Sequence, residues 1–147
     1  MFYEPRLGHG LPHDPFKAIV APRPVGWIST LNASGRANLA PYSFFNAVHS
    51  SPPMVMFTSE SMKHSASNAI ASGEFVFNLC GMALFDAMNI SSGDYPEGAS
   101  EFEAARLEMA PSVVVRAPRV AAAPAALECK VVSSSQLHDV EGTAVPG

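Results

Sequence analysis

The chain has 147 residues, 48% of them hydrophobic and 15% charged, with 13 prolines, 10 glycines and a formal net charge of -4. That length suits one domain, 1–147, with a core of its own, and the composition suits a turn-rich β or α+β protein rather than a disordered chain. The acidic balance argues against a nucleic-acid partner, which needs clustered Lys and Arg, and no apolar run approaches the ~20 residues that span a bilayer.

The N-terminal arm, residues 1–17, opens MFYEPRLGHGLPHDPF, where an acid, prolines and glycines interrupt any signal-peptide core. A cytoplasmic protein is therefore expected, and Cys80 and Cys129 are expected as buried free thiols. Ala18 to Ala21 is read as a short strand stopped by Pro22. Pro24 to Leu31 alternates, with Val25, Trp27, Ser29 and Leu31 on one face and Gly26, Ile28 and Thr30 on the other. The turn NASG follows, and Arg36 to Val48 returns as the partner strand of a hairpin, with Pro41 marking an edge or a bulge.

Pro52 to Ser59 (PPMVMFTS) is a short apolar run that reads as a buried strand. SMKHSASNAIASG reads as a helix, with Ser61 or Ser65 available to cap its start and Gly73 to stop it. Glu74 to Cys80 alternates as another strand, and Gly81 to Asn89 carries Met82, Phe85 and Met88 at helical spacing. Ser100 can cap a short helix over Glu101 to Arg106. Beyond it lie a strand at Ser112 to Val115, a further strand at Ala125 to Ser133, and a hairpin arm from Gln136 to Gly147. These elements describe a mainly antiparallel β protein with a few short helices, most simply a small barrel.

Catalytic signatures are missing from the sequence. His9 and His13 have an i, i+4 spacing, but Gly10 and Pro12 forbid the helix that would align their rings on a metal. No nucleophile motif or dinucleotide fingerprint is present. What remains is a set of binding groups. Thr58 and Ser59 end the apolar strand, Lys63, His64 and Ser65 open the helix, and Asn68 lies one turn on. A helix N-terminus with a hydroxyl and a lysine suits a phosphate, although on this segment alone a capped surface helix with a solvated lysine is the plainer reading. On the hairpin, Asn38, Ser43, Phe44 and Asn46, with Ser29 and Thr30 opposite, offer an apolar wall beside hydrogen-bonding groups. A flavin ring has that divided character, and its polar edge is costly to bury unpaired. A hairpin whose aromatics simply serve the core fits the same residues.

In order, FYEPRLGHGLPHDPFKAIVAPRPVGWIST, NLAPYSFFNAV, PPMVMFTSE, KHSASNA, GEFVFNL and PAALEC resemble the flavin reductase-like, FMN-binding split-barrel family, from about Phe2 to Lys130. The resemblance implies a split β-barrel homodimer with FMN in a groove at the subunit boundary. It places Ser29 and Thr30 on the first flavin-contacting strand, and Asn38 with Pro41, Tyr42, Ser43 and Phe44 beside the ring. Thr58, Ser59, Lys63, His64, Ser65 and Asn68 match the segment that holds the phosphate. It departs from the family's pattern at His64 and Ser65, where members often carry Asp and Thr, and at LHDVEGTAVPG, which reads as the start of a hairpin lacking its return strand. The expected fold is thus a split barrel without its C-terminal strand or strands. The expected activity is hydride transfer from NADH or NADPH to flavin, with a flavin-dependent oxygenase or another protein as electron acceptor. An FMN-carrying electron-transfer protein, or an interaction barrel that has lost its flavin, are the alternatives. Trp27 is assigned to the core.

Overall fold

A computed structural model describes residues 2–96 and 99–146. The hairpin forms as strands β1 (Gly26–Leu31) and β2 (Ala37–Tyr42), paired antiparallel from Gly26 opposite Tyr42 to Leu31 opposite Ala37. Its turn is held by Asn32, whose Oδ1 accepts from the N–H groups of Ser34 (3.0 Å) and Arg36 (2.9 Å), while Gly35 takes a φ of 79°.

The return strand does not run on to Val48. It breaks at Ser43 and Phe44, and β3 (Phe45–Ser50) pairs instead with β4 (Pro53–Phe57) in a separate ribbon, in which β4 is exposed to half-buried and not the buried strand expected of Pro52 to Ser59. The bend brings Phe45 over β1, so close that a Cβ on Gly26 would lie 2.5 Å from its ring. Helix α2 (His64–Ser72) follows and ends at Gly73, whose φ of 73° closes it in the left-handed conformation. Strand β5 (Glu74–Asn78) then pairs with β1 on one side and with β8 (Ala126–Lys130) on the other.

The sheet order is β2-β1-β5-β8, which leaves Pro41 on an edge strand where its missing N–H costs nothing. Between β5 and β8 come a 3-10 turn at Met82–Leu84, helices α3 (Phe85–Ile90) and α4 (Glu101–Ala104), and the short pair β6 (Met109–Ala110) and β7 (Arg119–Val120).

Both faces of this sheet are covered. Trp27, Leu39, Phe102 and Val120 form the core on one face, with Leu84, Met88 and Cys80 packed at its margin. On the other, Ile28, Tyr42, Phe45, Phe75 and Ala69 pack beneath the β3–β4 ribbon and α2, with Cys129 at the margin. Phe45 stacks on Phe77 at 4.7 Å between centroids, and Phe57 meets Phe75 edge-on at 5.2 Å. The two free thiols are partly buried, in clusters on opposite faces, and burial pushes both up.

Three expectations are corrected. Ala18 to Ala21 is not a strand: Ala18 and Ile19 are the end of helix α1 (Pro15–Ile19), started by Asp14, which accepts from the Phe16 N–H, and by Pro15 in the first turn, and Val20 and Ala21 follow it without regular structure. Neither Ser61 nor Ser65 caps α2; Lys63 is the residue at its N-cap, and it offers no side-chain acceptor. Ser112 to Val115 is not a strand either, because the Glu128 carboxylate takes the N–H groups of Val113, Val114 and Val115. Near the C-terminus, the arm folds on itself. Val145 donates to Leu137 across a turn organised by Asp139, and a single bridge joins His138 to Ala144.

Glu74 ties β5, β8 and the segment before β7 together. It is 5% exposed, and its carboxylate meets the Arg116 guanidinium (3.1 Å), the Arg116 N–H (2.8 Å) and Lys130 (3.0 Å). Burial pushes this carboxyl up, but the hydrogen bonds from Arg116 and Lys130 together outweigh it and hold the group below its ordinary value of 4.5. The folded state then binds fewer protons at Glu74 than the unfolded chain does. That stabilisation is complete above pH 4.5 and is lost as the pH falls through the lower folded value. In denaturant titrations the midpoint should drop over this acid window, and Glu74→Gln should flatten part of the drop. An unchanged pH profile would remove Glu74 from the acid response.

Candidate functional site

The break at Ser43 and Phe44 opens a cleft of about 410 Å³, lined by Asn38, by Ala40 to Phe44, by Thr58 to Ser65, by Ser91 to Tyr95 and by Glu101. That volume is within the range of small-molecule sites, roughly 300–1,000 Å³. Of the residues expected at a site, Asn38, Pro41, Tyr42, Ser43, Phe44, Thr58, Ser59, Lys63, His64 and Ser65 all line it.

Ser29, Thr30 and Asn68 do not, nor does Asn46, which is exposed on β3. Ser29 and Thr30 are fully buried; Ser29 donates to the Pro118 carbonyl (2.6 Å) and accepts from Asn78 (3.1 Å), while Thr30 accepts from the Asn68 amide (3.1 Å). Asn68 also borders a small neighbouring niche of about 80 Å³ shared with Arg36, Asn38 and His64.

The floor of the cleft is a buried polar cluster on the α2 side of the sheet. Asn38, Tyr42, Ser59, Ser65 and Glu101 are each less than a tenth exposed. Glu101 reaches the edge strand from α4 and accepts the Leu39 N–H at 3.1 Å, a donor that β1 does not use. A carboxylate can only accept, so the Asn38 atom 3.2 Å from Glu101 is its amide nitrogen, and the Asn38 oxygen then accepts from the Ser65 hydroxyl at 2.8 Å. Ser59 spends its proton on the Ser61 carbonyl. The Tyr42 hydroxyl, between Ser59 and Ser65, is buried and lacks a hydrogen-bond partner. Burial pushes its phenol up, the two neighbouring hydroxyls pull it down by less, and the Glu101 charge raises it further.

The rim is more exposed and carries charge. The first-turn N–H groups of α2 have no side-chain acceptor, which leaves the positive end of this helix open beside Lys63 and His64. Lys63 takes part in none of the ion pairs found among the described residues. Phe44 lies under two cations that precede β1, Lys17 at 5.9 Å and Arg23 at 5.7 Å, and Lys17 also pairs with Glu60 at 3.0 Å. The 91–95 segment is anchored to the core by Trp27, whose indole N–H donates to Ser91 Oγ at 2.9 Å.

Two parts of the cleft went unread in the sequence. Glu101 reads only as the start of a short helix, and its partner Leu39 is 62 residues away. The 91–95 segment, between the two expected helices, gives no local sign that it closes a site. Among the described residues no group of three or more His, Cys, Asp or Glu side chains is placed to hold a metal, and no helix is long and apolar enough to cross a membrane.

This sheet, its packed ribbon and the cleft between them define a mainly β fold with short helices, and solved proteins share it. Nitrilotriacetate monooxygenase component B from Bacillus cereus superposes with a TM-score of 0.85 at 28% identity, over 99% of this chain and 74% of that one. A 2-nitrobenzoate 2-nitroreductase from Pseudomonas fluorescens superposes with a TM-score of 0.70 at 34% identity, over 76% of this chain and 54% of that one. An uncharacterized protein of Deinococcus radiodurans is 43% identical over 127 residues, and one of Aquifex aeolicus is 35% identical over 127 residues. These alignments cover 80% and 83% of this chain but only 56% and 65% of the two relatives, so the chain spans between half and two thirds of their length. The family model described as "Flavin reductase like domain" matches residues 20–145. The chain belongs to that family, and its fold is the split barrel.

Proposed function

We propose that the cleft binds FMN and that the protein, a single domain over its whole length, passes a hydride from NADH or NADPH to that flavin. The observation that carries this reading is the convergence of Asn38 and Pro41 to Phe44 with Thr58 to Ser65 on one cleft. The residues present fit a phosphorylated flavin. Lys63 and the uncapped first turn of α2 suit a dianion, the half-buried Phe44 ring suits an apolar ring face, and the unpartnered Tyr42 hydroxyl leaves one buried donor free.

In this assignment Lys63 and the N–H groups of His64 and Ser65 bind the phosphate. Pro41 to Phe44 and Thr58 orient the ring, and Ser29, Thr30 and Asn68 hold β1 and α2 in place behind them. Bound FMN would supply the two-electron chemistry, which explains a site without a catalytic triad. The chain's residues bind it, orient it and exclude water from its polar edge.

Under the same reading the electrons leave for a separate protein, either a flavin-dependent oxygenase or another acceptor, and the working unit is a homodimer. The exposed apolar side chains Val48, Met54 and Met56 on the β3–β4 ribbon favour such an assembly. Anaerobic mixing of the FMN-loaded protein with NADH or NADPH tests the activity: flavin absorbance should bleach with at least one of them. Persistence of the oxidised bands with both would leave an electron carrier without reductase turnover. Sedimentation equilibrium should return twice the 15.5 kDa chain mass, and a monomer would remove the dimer.

A further inference from the structure

Glu101 is a buried carboxylate facing a cleft, and its hydrogen-bond partners are two neutral donors, the Leu39 N–H and the Asn38 amide. Buried charges are ordinarily paired with an opposite charge, because desolvation is costly. Here none of the ion pairs among the described residues involves Glu101, and its charge is felt at the phenol of Tyr42. The carboxylate also fixes the direction of every hydrogen bond behind it. Glu101 can only accept, so Asn38 turns its nitrogen to Glu101 and its oxygen to Ser65, and the Ser65 proton is drawn away from the cleft.

We infer that Glu101 is a specificity-determining residue that limits how tightly the cleft holds an anionic ligand. Resting on the assignment of the cleft to flavin, this identifies what separates FMN from its dephosphorylated form. Two effects act in the same direction. Ser65, beside the open end of α2, presents lone pairs rather than a proton to a phosphate oxygen. A buried negative charge also stands behind the site, where it is screened less than the exposed Lys63 that opposes it. The consequence is a flavin that is selected by Lys63 and the helix end yet remains exchangeable, as suits a protein that delivers reduced flavin elsewhere.

The test is Glu101→Gln, which keeps the shape of the side chain. Its oxygen still accepts from Leu39, while its amide nitrogen now faces Asn38. The Asn38 amide turns over, donates to Ser65 Oγ and frees the Ser65 proton for the cleft. Dissociation constants for FMN and riboflavin are read from quenching of Trp27, the single tryptophan of the chain, with near-ultraviolet circular dichroism as the check on folding. Glu101→Gln should raise the preference for FMN over riboflavin by about tenfold. Adding Ser65→Ala should remove part of that gain. In the wild-type background Ser65→Ala should not lower the preference for FMN, because no Ser65 proton reaches the phosphate there.

An unchanged or lowered preference in Glu101→Gln would overturn the inference, since a merely structural Glu101 would weaken both flavins alike. Should that variant fail to fold, Ser65→Ala alone decides: a marked loss of FMN preference would show that Ser65 already donates to the phosphate, and would overturn it too. A wild-type protein that binds both flavins with no such response refutes this inference alone. A wild-type protein that binds neither refutes the flavin assignment itself.

Discussion

Lys63→Ala is expected to weaken FMN binding by about tenfold or more at low ionic strength while leaving riboflavin nearly untouched. Charge-assisted hydrogen bonds to a phosphate are worth roughly 1.5–3 kcal/mol, and the solvent exposure of Lys63 puts the effect near the lower end. The loss should shrink as salt is added, since the lysine sits at the rim and not under it. Lys63 is the cation best placed for this role. It stands at the N-cap of α2, lines the cleft and is absent from the ion pairs of the described residues, whereas Lys17 is already engaged by Glu60. Equal losses for FMN and riboflavin would mean that the phosphate lies elsewhere.

Asn78→Ala should be the most damaging substitution for stability, lowering the unfolding free energy by about 3 kcal/mol or more out of the usual 5–15. Asn78 is fully buried on β5 and works in three directions. Its amide donates to the Trp27 carbonyl and to Ser29 Oγ, each at 3.1 Å, and its oxygen accepts from the Val120 N–H at 2.8 Å. The alanine variant strands the Val120 donor inside the core, takes a donor from Ser29 and from the Trp27 carbonyl and adds a cavity, and a buried group left unpaired costs about 1–3 kcal/mol. Urea melts of the two proteins measure it. A difference below about 1 kcal/mol would show that the segment around β7 is held to the sheet by apolar packing alone.

Much of this was visible in the residues. The alternation around Trp27, the NASG turn and the Gly73 stop are local signals, and each produced the element it implies, whereas the apolar PPMVMF run produced a strand that is exposed rather than buried. The site was legible where its groups are close in sequence, as in Pro41 to Phe44 and Thr58 to Ser65. What could not be read depends on contacts between distant segments. Arg36 to Val48 looks like one strand, since only the pairing of Phe45 with Phe57 shows that it changes partner after Tyr42. Val113 to Val115 has strong strand propensity, but Glu128 removes the N–H groups that a ladder would use. Asp14 and Pro15, by contrast, were a readable helix start, obscured by the prolines and glycines around them.

Ser65 shows the same division more sharply. Its position near a helix start suggested a cap, and its resemblance to a family motif suggested a phosphate ligand. The fold does not use it as the cap, and commits its hydroxyl to Asn38 and, through Asn38, to Glu101. Sequence spacing located the residue, and tertiary contacts decided the direction of its proton.

A crystal structure of the protein grown with FMN tests the central claim most directly. The phosphate is expected on the first turn of α2 within hydrogen-bonding reach of Lys63, and the ring against Pro41 to Phe44. Flavin density bound away from this cleft, or its absence at saturating FMN, would contradict it.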